Sequence, residues 1–248
     1  MADYDNRALR SQTASASDLI DSGLRTYMLR VYNYMLVGLT LTGATAWVTA
    51  NIPQIRNLFF HIDPATGRIG MSMLGWIALL APLGLVLFLS FRISRMSLPA
   101  ARATFWVYAA LMGIGMAPVL LLYTGASVGE VFFITAGTFG AMSLWGYTTK
   151  RDLTGFGSFL FMGLIGLMIA MVVNMFLHSA MMQWIVSVAG VLIFTGLTAY
   201  DTQNIKEMYV ANDDGTVAGR KAIFGALKLY LDFINLFLFM LRLMGNRR

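Results

Sequence analysis

The sequence has no cysteine, two histidines and five prolines, and only 12% of its 248 residues are charged. Without cysteine there are no disulfides and no thiolate metal centres, and the redox compartment cannot be read. Two isolated histidines, His61 and His178, supply neither a zinc ligand set nor a Ser–His–Asp arrangement. The chain therefore reads as a non-enzyme without a cofactor. What replaces the missing charge is apolar surface: 58% of the residues are hydrophobic, and the mean hydropathy is +0.68.

Apolar runs of about 20 residues recur along the chain, each long enough to cross a bilayer. In lipid every backbone group must be satisfied within its own segment, which excludes open sheets. The expected class is an all-α polytopic membrane protein. The net charge of +6 sits between the apolar runs, so it reads as membrane topology and not as a nucleic-acid surface.

Residues 1–25 mix Asp and Arg among Ser, Thr and Ala and read as a polar, cytoplasmic N-terminal tail able to dock a soluble partner. Residues 26–248 form the membrane domain. Seven spans are predicted, at 27–50, 71–91, 104–123, 128–147, 153–177, 184–205 and 222–244. Pro82 is expected to kink the second. The glycines at 113, 137, 140, 163, 166, 190 and 196 predict close helix packing. A polar connection, KEMYVANDDGTVAGRK, joins the last two spans and carries an Asp-Gly turn signal. Counted on alternating sides, Lys and Arg fall twelve against five. That places the N-terminus in the cytoplasm and the C-terminus outside.

Two aspartates lie inside apolar runs. Asp201 ends one near its polar edge, and Asp232 sits in the middle of the next. A carboxylate there costs about 2.5–3.5 kcal/mol on insertion scales, so two in consecutive spans need a reason. At about 1.5 Å per residue, Asp201 lies roughly 28 Å below the outer end of its helix. Arg92 closes the second span at about the same depth and is expected to pair with it. Gly225, Lys228, Asp232 and Asn235 form a polar or small stripe at helical spacing, which should face the bundle interior. Thr198 stands one turn before Asp201. These groups are expected to line a hydrated path, with Lys228 also a possible neutraliser of Asp232.

The runs TGLTAYDTQNIK, ALKLYLDFINLFLFMLRLMG and RTYMLRVYNYM resemble the Bax inhibitor-1 family, in its YccA-like and calcium-leak branch. The resemblance covers almost the whole chain. It implies a seven-transmembrane-helix bundle in a bacterial inner membrane, with the last helix central and surrounded by the other six. It further implies a pH-sensing pair, Asp201 and Asp232, latched by Arg92. The implied function is a pH-sensitive calcium leak channel, with calcium and protons as its partners and Asp201 and Asp232 as the Ca2+ ligands. The alternative it implies is a regulator of a membrane-bound AAA protease. Independently of the family, two buried carboxylates a few ångströms apart cannot both ionise cheaply and share a proton instead. An intramembrane aspartyl protease is disfavoured: Tyr200–Asp201 fits, but Asp232 follows Leu231 with no GxGD. A proton-coupled transporter lacks the expected inverted repeat and broken helices.

Overall fold

The computed structural model describes residues 2–62 and 69–247, with backbone alone over 2–21. Eight helices occur in that range: α1 (Ala2–Asn51), α2 (Pro53–Phe59), α3 (Met73–Arg92), α4 (Leu98–Leu122), α5 (Gly125–Thr148), α6 (Thr154–Leu177), α7 (Ala180–Glu207) and α8 (Gly215–Met244). Six are long and apolar enough to span a membrane, and α1 with α2 makes a seventh, bent by 98° at Ile52. The bend follows from Pro53, which lacks an amide and starts the new helix. Residues 1–25 were read as a tail; the backbone is helical from Ala2, and the docking role falls mainly on side chains outside the described ones.

Local chemistry sets the helix starts. Ser72, Ser97, Thr124, Ser179 and Asp214 each precede a helix and accept a hydrogen bond from an amide of its first turn. Asp214 takes two, from Thr216 and Val217, both at 2.8 Å. The Asp-Gly pair read as a turn is thus a helix cap. The long hinge expected between the last two spans shrinks to residues 208–214. Pro82 and Pro118 both lie inside continuous helices. Strands β1 (Phe60–Ile62) and β2 (Ile69–Met71) form a hairpin in the connection between α2 and α3.

α8 occupies the centre: 72% of its most apolar window is buried, against 11% in α6. It packs on α1, α4, α5 and α7. The ring of six expected around it resolves into these four, with α3 leaning on α4 and α6 on α7. Small residues permit the close approaches. A Cβ at Gly146 would run into the Ala199 carbonyl, and one at Gly113 into Thr42 and Thr45. Gly163, Gly190 and Gly196 also meet a neighbouring helix. Gly137, Gly140 and Gly166 do not; a side chain there would meet open space.

Alternating helix directions divide the loops between two ends. At the end holding Gly23, its chain packs against Tyr209 of the α7–α8 connection. At the other end, the C-terminal segment closes on the α4–α5 turn: Thr124 donates to the Asn246 carbonyl at 3.0 Å, and the Asn246 amide to Ser127 Oγ at 2.9 Å. The first end carries Arg25, Arg92, Arg95, Arg102, Lys150, Arg151, Lys206, Arg220 and Lys221, and is the basic one.

Candidate functional site

Asp201, Lys228 and Asp232 meet at one place inside the bundle. Asp201 stands in the last two turns of α7, and Asp232 lies one turn beyond Lys228 on α8. Asp201 is 6% exposed and Asp232 4%. Lys228 Nζ reaches across to Asp201 Oδ1 at 3.3 Å and donates to Asn204 Oδ1 at 3.0 Å. The Asp201 and Asp232 side chains approach within hydrogen-bonding reach of each other. Asp232 Oδ2 is fully buried with no donor. Two ionised carboxylates can only accept, so no bond joins them until one carries a proton. A proton on Asp232 lets it donate to Asp201 and leaves the pair's negative charge on the carboxylate that Lys228 bridges.

These groups line a cavity of about 470 Å³ between α6, α7 and α8. The side of α8 left half-open runs Lys221, Phe224, Lys228, Leu231, Asn235 and Leu238, then the exposed Arg242. The steps alternate three and four, so these residues fall on one face. Its polar members are seven apart: Lys221, Lys228, Asn235 and Arg242. The groove thus carries polar groups along α8, while α6 walls it with Phe161, Leu164, Leu167, Met168 and Met171.

The predicted residues separate into two groups. Asp201, Asp232, Lys228 and Asn235 come together in the groove. Arg92 and Thr198 do not. Arg92 is exposed at the end of α3, which packs on α4 and not on α7, and it has no ion pair among the described residues. Equal depth placed it level with Asp201 but on the wrong side of the bundle; Lys228 takes the pairing. The direct bridge of Lys228 goes to Asp201 on α7 and not to Asp232 one turn away on its own helix. Thr198 is sealed in the helix packing and donates to the Phe194 carbonyl at 2.7 Å.

Other residues were missed. Asn204 holds Lys228 in place, and its spacing of three from Asp201 was a usable signal. Gln203 accepts from the Leu153 amide and donates to the Arg151 carbonyl, both at 2.8 Å, clamping the α5–α6 connection to α7. A hydroxyl chain runs from Tyr32 to Ser143 (2.6 Å), to Thr202 (2.9 Å), whose hydroxyl donates to the Thr198 carbonyl (2.7 Å). No group of three or more His, Asp or Glu gathers among the described residues. Ca2+ takes six to eight oxygens, more than these two carboxyl groups supply.

Fold and site define a polytopic helical membrane protein whose central helix bears one of two facing, buried carboxyl groups. Residues 24–248 match the family described as Inhibitor of apoptosis-promoting Bax1, and the chain belongs to it, the Bax inhibitor-1 family. An uncharacterized protein of Rickettsia prowazekii is 47% identical over 236 residues, covering 95% of this chain and 96% of its own. The inner membrane protein YbhL of Escherichia coli is 47% identical over 229 residues, covering 92% and 94%. An uncharacterized membrane protein of Streptococcus pyogenes is 36% identical over 226 residues, covering 91% and 95%. The apolar helices and the likeness to YbhL make this chain an integral inner-membrane protein.

Proposed function

We propose that the chain is a pH-sensitive cation leak path, with Ca2+ as the ion and the Asp201–Asp232 pair as its gate. One observation carries the reading: the buried Asp232 carboxyl group, whose Oδ2 has no donor, lies beside a second carboxyl group. With one proton on the pair, its single negative charge is balanced by Lys228 and the cluster is neutral, as a low-dielectric interior requires. Loss of that proton leaves one net negative charge and two repelling carboxylates. The pair then attracts a hard cation, and repulsion loosens the α7–α8 contact that closes the groove. Low pH closes the path and high pH opens it. The excess of Lys and Arg at the end near Gly23 supports a cytoplasmic location for that end.

The test is Ca2+ entry into vesicles containing the purified protein, measured between about pH 6 and about pH 8. Flux is expected to rise with pH in the natural sequence. In Asp232→Asn the pH dependence should vanish, because the amide supplies a permanent donor and removes the charge. Asp201→Asn should flatten it as well. A rise with pH that survives in both variants overturns the gate; an absence of Ca2+ flux at every pH overturns the leak.

A further inference from the structure

We propose that the seam between α1 and α5 binds one anionic glycerophospholipid of the leaflet at the basic end, an acyl chain in the seam and the phosphate on Arg25. The seam is a cavity of about 700 Å³, separate from the carboxylate groove and larger than it. It exists because the α1 and α5 backbones barely approach each other along their length, and because Gly140 leaves open space where a side chain would stand. Met35, Leu36, Phe132 and Phe139 line it, and Phe233 of α8 also contributes. Leu29, Leu36 and Leu144 are more than half exposed at its rim, so it opens sideways towards lipid.

Its polar back wall is already satisfied. Tyr32 and Ser143 bond each other, and Ser143 bonds Thr202. Nothing there asks for water, which suits a hydrocarbon occupant. Length favours the same occupant. From Arg25 to Leu39 the helix rises about 21 Å, comparable with one leaflet of a bilayer about 40–45 Å thick including its headgroups. A helix of that length and about 10 Å diameter occupies on the order of 1,600 Å³, too much for this space.

Charge selects the headgroup. Arg25 is exposed at the mouth and has no acidic partner among the described residues. Beside it Tyr147 carries Lys206, whose Nζ lies 3.0 Å from the Tyr147 carbonyl and 5.2 Å from its ring. The Arg25 cation at the mouth, with Lys206 behind Tyr147, favours a phosphate without a compensating choline.

The full-length protein would be reconstituted in vesicles of equal phosphatidylglycerol and phosphatidylcholine with identical chains, then released in mild detergent for native mass spectrometry. The natural sequence should keep one phosphatidylglycerol per chain in preference to phosphatidylcholine. Arg25→Gln should lower that preference about fivefold. Gly140→Trp, which fills the open space, should abolish retention of both lipids. Leu36→Trp, at the exposed rim, gives the same reading should Gly140→Trp fail to fold. Equal retention of the two lipids by the natural sequence, a preference unaltered by Arg25→Gln, or full retention by the folded Trp variants overturns the site.

Discussion

The two sides of α8 are built from opposite materials. Towards α1 and α4 it presents aromatic groups: Tyr230 is completely buried, packs edge-on against Phe105 and Tyr108, and bonds Thr42 Oγ1 at 2.7 Å. Thr42 in turn donates to a carbonyl, with those of Gly38 and Ala109 both in range. Phe233, packed against Phe132 and Phe139, extends the same material towards α5. Towards α6 the helix presents Lys228, Asn235 and Arg242, half-open to a cavity. Residue type follows neighbour: where backbones close in, aromatic rings and one satisfied hydroxyl fill the space, and where they do not, charge survives. One side holds the bundle together; the other leaves charged groups free to respond.

Breaking the packed side should have the largest effect. Tyr230→Ala removes a buried ring and strands its partners, and should destabilise the bundle by about 3–5 kcal/mol. An SDS unfolding titration in mixed micelles measures this. Leu231→Ala, on the half-open side one residue away, serves as the contrast and should lose much less.

The second effect lies in the groove. Lys228→Met leaves Asp201 buried beside a second carboxyl group with no cation. Losing one partner of a buried pair costs about 3–5 kcal/mol; because Lys228 is 25% exposed, about 1–3 kcal/mol is expected here. The double variant Lys228→Met with Asp201→Asn should recover most of it in the same titration. If the single variant is as stable as the natural sequence, the charge on this side is not balanced by Lys228.

The same contrast explains what could be read from the sequence. Spans, class and the carboxyl couple were legible because hydropathy and an acid inside an apolar run are one-dimensional signals. α8's central position came from the family resemblance; its small residues Gly219, Ala222, Gly225 and Ala226 are all buried there. Which helices neighbour one another is not written in any single span. Depth arithmetic put Arg92 and Asp201 level, yet α3 sits behind α4. Lys228 was judged against its own helix, where Asp232 is near, and its long stem reached the next helix instead. Glycines told where approach is permitted, not where it happens: Gly146 meets Ala199, while Gly140 meets nothing.

A third, smaller effect concerns α6, the least buried span, which rests chiefly on α7. Its start is fixed from outside the membrane by Asp152, whose Oδ1 accepts from the Thr154 amide at 2.8 Å. Hydrogen bonds from the Thr154 hydroxyl and amide hold this carboxyl below its usual range. A group so depressed stabilises the fold above the unfolded carboxyl value and loses that contribution as pH falls through the folded one. Asp152→Ala should therefore lower the melting temperature slightly at neutral pH, and the gap to the natural sequence should close below about pH 4. A gap constant across that range would mean that the charge at the α6 start plays no part.

The smallest effect separates Arg92 from Lys228. Both are cations, one at the end of α3 and one on α8, and depth and the family resemblance together made Arg92 the expected partner of Asp201. Arg92 ends exposed and without an ion pair among the described residues, so Arg92→Gln breaks no charge pairing there. Its stability should stay within about 0.5 kcal/mol of the natural sequence, and the pH dependence of Ca2+ entry should be unchanged. Lys228→Met should alter both. If Arg92→Gln shifts the pH dependence while leaving stability alone, α3 must approach α7 in another state of the bundle, and the half-open face of α8 is then only one of two arrangements that this chain adopts.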